Sequence, residues 1–150
     1  MTSLFRYNVR AHARLDGLFL EHQTALFDRD PALAAKTFAT YRKALFEHMR
    51  QEESVLLPFY KQHGEAPDAP TVFFTGEHKR MREFLRRIQS RLRRLDRRSP
   101  KARWVALFDL EAAYKNLVQH HDRREKSKLY PALDRFGSRG ERLKLLARQK

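Results

Sequence analysis

Two stretches of the chain, "LFEHMRQEESVLLPFY" at 45–60 and "LVQHHDRREKSKLYPA" at 117–132, share one pattern. Each places a His four residues before a Glu and ten before a Pro: His48, Glu52, Pro58 and His121, Glu125, Pro131, 73 residues apart. Residues four apart lie on one face of a helix. Steps of three and four through the first stretch give Ala34, Phe38, Tyr41, Leu45, His48, Glu52, Val55 and Phe59. Through the second they give Leu107, Glu111, Tyr114, Val118, His121, Glu125, Lys128 and Ala132. Such a stripe faces a bundle core, and here imidazoles and carboxylates stand where Leu is expected. A buried carboxylate without a partner costs several kcal/mol. Any fold for this chain must therefore bring partners to these groups. Two His/Glu pairs on facing helices would gather in one buried spot, where a pair of divalent or trivalent metal ions satisfies all of them.

Helical spacing dominates the rest of the chain. Breaks fall at "DRDPA", "HGEAPDAPT", "RRSPK" and "FGSRG". Asp30 and Ser99 read as N-caps, with Pro31 and Pro100 in the first helical position. Four long segments result, roughly 3–28, 31–62, 71–97 and 100–135. The expected fold is all-α, an antiparallel up-down four-helix bundle over 1–136, followed by a short basic amphipathic helix over 137–150. Segment 1 carries the stripe Phe5, Asn8, His12, Leu15, Phe19, His22, Leu26. Segment 3 carries Phe74, His78, Met81, Leu85, Ile88, Leu92, Leu95.

Height along the bundle decides which further histidines belong. His48 lies 17 residues beyond Pro31, about 25 Å at 1.5 Å per residue. In an antiparallel neighbour, His12 lies 17 residues before Arg29 and matches. His22 misses by about 15 Å. In the second half, His121 lies 21 residues beyond Pro100 and His78 lies 20 before Arg98. The candidate ligands are therefore His12, His48, Glu52, His78, His121 and Glu125. His120 adjoins His121, but the repeat and the Glu four residues on favour His121. His22 reads as a hydrogen-bonded core histidine and His63 as a loop residue. Tyr41 and Tyr114, each seven residues before a ligand His, read as core, with a hydrogen bond to the ligands or redox chemistry as the sharper alternative.

His12, His48-x-x-x-Glu52, the "EH" at Glu77–His78, and His121-x-x-x-Glu125 followed by "LYP" resemble the haemerythrin-like, or HHE cation-binding, domain over about residues 5–135. The resemblance implies a four-helix bundle holding two non-haem iron ions, His-ligated, bridged by two carboxylates and by oxo or hydroxo; another divalent metal would also suit the donors. The oxygen-carrying members have a further His one turn after the third, where this chain has Arg82. That departure favours a sensing or reactive centre over reversible O₂ storage. The ferritin-like alternative needs Glu three residues before His, and no His here has one.

From this follow the functional expectations. The first is a cytoplasmic di-iron protein that binds or senses O₂ or NO, or serves stress response or iron handling, and is not primarily an enzyme. A peroxidase- or oxidase-like di-iron enzyme is an alternative. Another comes from charge. Lys and Arg number 32 against 18 Asp and Glu, for +14. Twelve of these cations fall within 79–103 against two acids, which suits a basic adaptor holding nucleic acid or an acidic protein around a structural metal. No cysteine is present, so thiolate ligands and disulfides are excluded, and no apolar run reaches the length of a membrane span.

Overall fold

A computed structural model describes residues 3–149. They form seven α-helices: α1 Leu4–Phe27, α2 Pro31–Gln51, α3 Leu57–His63, α4 Thr71–Leu92, α5 Lys101–Arg124, α6 Tyr130–Phe136 and α7 Arg139–Arg148. Two π-helical turns, Glu52–Leu56 and Glu125–Leu129, join α2 to α3 and α5 to α6. With α3 and α6 as continuations, α1, α2, α4 and α5 make a four-helix bundle without strands among the described residues, the all-α architecture expected. Among the described residues no helix is long and apolar enough to cross a membrane.

Local chemistry sets the helix ends. Asp30 caps α2 by accepting from the Leu33 amide at 3.0 Å, with Pro31 in the first turn. The preceding turn holds Arg29 at φ 54. Ser99 does not cap α5 as expected. Its hydroxyl accepts from the Asp96 amide, and Pro100 takes the cap position. Segment 3 also stops earlier than expected, at Leu92. The N-terminus of α1 is closed by Asp134 of α6, which accepts from the Leu4 amide at 2.9 Å and the Ser3 hydroxyl at 2.6 Å. A carboxylate there meets both free amides and the helix dipole.

The π turns explain the repeated proline. Pro has no N–H and its ring crowds the carbonyl four residues back. A widened turn relieves this: the Leu57 amide bonds Glu52 O, and the Tyr130 amide bonds Glu125 O, each five residues back. The extra residue shifts the buried stripe. Leu56, Leu57 and Tyr60 are buried where Phe59 was expected to be, and Leu129, Tyr130 and Leu133 are buried. Lys128 leaves the core and pairs with Asp68 at 2.6 Å. In α1, Leu4 rather than Phe5 is buried, and in α5 Leu117 is more buried than Val118.

The core is split into two apolar clusters. One includes Leu15, Phe19, Phe38, Leu45, Met49, Met81, Leu85, Ile88 and Leu107. The other gathers Leu4, Leu56, Tyr60, Phe74, Leu129, Leu133 and, from α7, Leu145 and Leu146. Burying a Leu side chain contributes about 1.5–3 kcal/mol, which is what ties α7 to the end of the bundle. Ser138 and Glu141 form a reciprocal cap at its start. Between the two clusters lies a layer of buried polar groups.

Candidate metal centre

That layer contains the six residues singled out by the spacing. His78, Glu52 and Glu125 are fully buried, and His12, His48 and His121 nearly so. They fall into two overlapping groups, His12/His48/Glu52/Glu125 and Glu52/His78/His121/Glu125. Within each group the donor atoms lie within 4.8 Å of one another. The two carboxylates belong to both groups, and each turns one oxygen to each. Glu52 Oε1 lies 3.1 Å from His48 Nε2, and Oε2 lies 3.3 Å from His78 Nε2. Glu125 Oε2 lies 3.1 Å from His12 Nε2, and Oε1 lies 2.9 Å from His121 Nε2. His12 Nε2 and His48 Nε2 are 3.0 Å apart, and His78 Nε2 and His121 Nε2 are 3.1 Å apart.

These spacings suit cations. Metal–nitrogen bonds of about 2.0–2.1 Å put neighbouring vertices of an octahedron about 3 Å apart. Two nitrogens facing each other at that distance share one hydrogen bond at most, whereas a cation satisfies both. Glu52 Oε2 and Glu125 Oε1 are buried without a hydrogen-bond donor. A buried anion left in that state costs free energy, so the donor set fits a metal better than it fits itself.

Electrostatics agree. Burial opposes the charge on His12, but Asp122 and Glu125 outweigh it and raise its pKa to about 10. Burial acts likewise on His78 and His121. Glu52 and Glu53 lift the first above its ordinary value, and Glu125 and Glu77 lift the second well above it. Against the same burial, His48 and His78 hold Glu52 well below the ordinary carboxylate range. For Glu125, burial and Glu52 push up, and His121 and His12 bring the value down to about 2. Protons on His12, His78 and His121 are favoured where cations would otherwise stand.

Residues that spacing did not reveal complete the setting. Glu53 Oε1 lies 2.9 Å from His78 Nδ1 and is itself held by Arg82 at 3.0 Å. Glu77 Oε2 lies 2.8 Å from His121 Nδ1, and its other oxygen accepts from Arg124 at 3.0 Å. Asp122 Oδ1 lies 3.1 Å from His12 Nδ1. Hydrogen-bonded behind their imidazoles, Glu53 and Glu77 fix the tautomers of His78 and His121 and leave each Nε2 as the ligating nitrogen. Arg82, at the position of the oxygen carriers' further His, instead anchors one of these carboxylates. The phenol of Tyr130 is fully buried and lies 2.5 Å from Glu52 Oε1, 2.9 Å from Glu125 Oε2 and 2.8 Å from His12 Nε2.

Other histidines go elsewhere. His22 Nε2 pairs with fully buried Glu111 at 2.6 Å, and its Nδ1 donates to Ala34 O at 2.8 Å. It is a satisfied core histidine remote from the cage. His120 is exposed, and His63 is exposed and stacks on Phe59. Tyr41 and Tyr114 meet hydroxyl to hydroxyl at 2.6 Å. A small void of about 20 Å³ touches His12, His48 and His121 and is otherwise walled by Leu15, Tyr41, Leu45, Met49, Met81 and Val118, with Asp16 and Asp122 at its edge. An open groove of about 450 Å³ shares Asp16, Tyr41, Val118 and Asp122 with it and reaches the surface past Leu20, Lys115 and Arg123.

An all-α bundle that buries overlapping His/Glu groups across its waist belongs to the metal-binding class of helical proteins. The description of the hemerythrin HHE cation binding domain matches residues 5–133, and the chain belongs to that family. Neither a curated protein nor a solved structure matches it.

Proposed function

We propose that the cage holds two iron ions, with Glu52 and Glu125 bridging them, His12 and His48 terminal on one, and His78 and His121 terminal on the other. The observation that carries this reading is the division of each carboxylate, one oxygen toward each His pair. When bound, such a centre supplies reversible binding or electron transfer toward a small ligand. The chain's own contribution is to hold the donors, exclude bulk water and admit that ligand.

The void beside His12 and His48 favours a diatomic such as O₂ or NO. Its 20 Å³ is about the space one water needs, and its walls are mostly apolar. A neutral diatomic enters there at little desolvation cost, and the groove lined by Tyr41 and Val118 gives it a way in. Sensing of O₂ or NO, or a part in stress response or iron handling, follows from this. Metal analysis with an absorption spectrum tests it. Two irons per chain, with bands perturbed by NO, are expected; a chain that takes up zinc alone, or no metal, sinks the reading.

A second reading rests on a separate observation. Of the twelve cations in 79–103, Arg82 is held by Glu53. The others are exposed, and none has an acidic partner within ion-pair distance among the described residues. This unpaired basic face favours a polyanionic partner, held without sequence preference. Retention on heparin that weakens steeply with salt and survives chelation would support it; retention indifferent to salt would remove it.

A further inference from the structure

We propose that the Tyr130 phenol oxygen is a fifth protein donor to the cation held by His12 and His48. This rests on the reading of the cage as a metal pair.

The argument begins in the backbone. In a regular α-helix, residues five apart diverge by about 140°. The π turn Glu125–Leu129 takes up the extra residue, so Tyr130 returns to the face of Glu125 and its hydroxyl reaches Glu125 Oε2. That hydroxyl lies 2.5–2.9 Å from three donor atoms of one group: His12 Nε2, Glu52 Oε1 and Glu125 Oε2. Neighbouring donors on one octahedral cation stand about 3 Å apart. Tyr130 Oη stands 2.5–2.9 Å from these atoms, somewhat closer than the 3.0 and 3.1 Å that separate His12 Nε2 from His48 Nε2 and Glu125 Oε2.

The remaining surroundings leave no competing role. Tyr130 is packed in the apolar cluster with Leu4, Leu129 and Leu133, and every hydrogen-bond partner of its hydroxyl is a cage atom. One phenol proton cannot serve two carboxylates at once, whereas a cation meets all three neighbours and the phenol together. On ligation the O–H bond breaks, the proton leaves to solvent, and the oxygen's electron pair forms the bond to the cation; no oxidation state changes. The cation then supplies the positive charge that the proton supplies now.

The sequence repeat makes the device one-sided. An offset of 73 places Leu57 opposite Tyr130, so only one of the two halves receives a phenol. The diatomic-sized void adjoins the Leu15, Tyr41 and Met81 side, while Tyr130 belongs to the other apolar cluster. The phenol therefore closes one side of this cation and leaves the void side free.

Resonance Raman of ferric-loaded wild-type protein, excited in its visible absorption, tests the proposal without any substitution. Enhanced tyrosinate ring modes with a phenolate-to-iron charge-transfer band are expected. Tyr130→Phe should lose both from the iron it still holds, with iron content measured on the same sample; Tyr41→Phe, which lines the void, should keep both. Iron-loaded wild type lacking tyrosinate modes overturns the proposal, as does a band that survives in Tyr130→Phe. Absence of iron from the wild type, read by metal analysis, brings down the metal-pair reading and this proposal with it.

Discussion

The two halves of the cage use the same ingredients and are finished differently. At His78 and His121, each imidazole is backed by a carboxylate that is itself held by an arginine: Glu53 with Arg82, and Glu77 with Arg124. The carboxylate oxygens turned to this half, Glu52 Oε2 and Glu125 Oε1, have no hydrogen-bond donor. At His12 and His48, Asp122 alone backs an imidazole, and the nearest cation, Lys126, stands 4.0 Å from it. Here the corresponding oxygens meet Tyr130, and a void opens beside the rings. A near-symmetric repeat thus encloses an asymmetric site: one half is braced by arginine-held carboxylates, the other is capped by Tyr130, and the void touches His12 and His48 of that half and His121 of the other. The lesson is that one repeated motif is finished by its neighbours: arginine-held acids stand behind one His pair, and a phenol lies against the other.

The largest expected effect comes from breaking what both halves share. Glu125→Gln should take metal content from about two ions per chain to near zero, because a charged bridge is lost from both cations. A single-histidine change such as His48→Ala should spare the other half. Metal analysis after dialysis decides, and two ions retained in Glu125→Gln would end the bridging assignment.

Next in size is a buried pair that belongs to neither half. Glu111→Ala leaves His22 buried without its partner and should cost about 3–5 kcal/mol, with metal content unchanged. Urea unfolding of metal-free protein measures it; a loss of metal in this variant would merge two regions that lie apart in the bundle.

Protons and cations competing for the same atoms give opposite pH slopes. In metal-free protein, the stability from His12 is fully present below its unfolded value of 6.5 and is lost as pH rises toward about 10. That from Glu125 is present above 4.5 and lost as pH falls toward about 2. Bound metal reverses the first trend, since neutral imidazoles bind it better as pH rises. Thermal melts with and without chelator between pH 6.5 and 9 should diverge; parallel curves would mean that metal does not use these nitrogens.

The bracing itself is tested more gently. Glu53→Gln or Glu77→Gln should weaken one cation by about 10–100-fold while sparing the other, seen as a split in chelator competition. Equal loss of both cations would erase the distinction between the halves. Arg82→Met should do least, within about 1 kcal/mol, because the Arg82–Glu53 pair is partly exposed. A larger effect would make Arg82 part of the cage.

Much of this was legible before folding. The match of the expected all-α bundle to the structure follows from a period that each long helix repeats many times. The meeting of His12 with His48, and of His78 with His121, follows from counting residues from a turn, which is reliable because a helix rises evenly. Phe59 and Lys128 were misplaced for the opposite reason: a π turn adds a residue without marking the stripe. Pro58 and Pro131 were the trace of it, and the repeat sets Leu57 against Tyr130 directly before them. Glu53 and Asp122 carried no signal, since each sits beside a stripe residue and reads as a solvent-facing acid; Glu77 stood in the "EH" of the resemblance, but nothing there told that it backs His121.

By itself, then, the sequence determined which polar groups would be buried and at what height, because periodicity and rise are properties of one helix at a time. Only the tertiary structure decided which oxygen faces which nitrogen, which acids stand behind the imidazoles and which half receives the phenol. Those depend on how neighbouring helices are rotated against each other, and an added residue in a single turn changes that rotation without leaving a periodic mark in the chain.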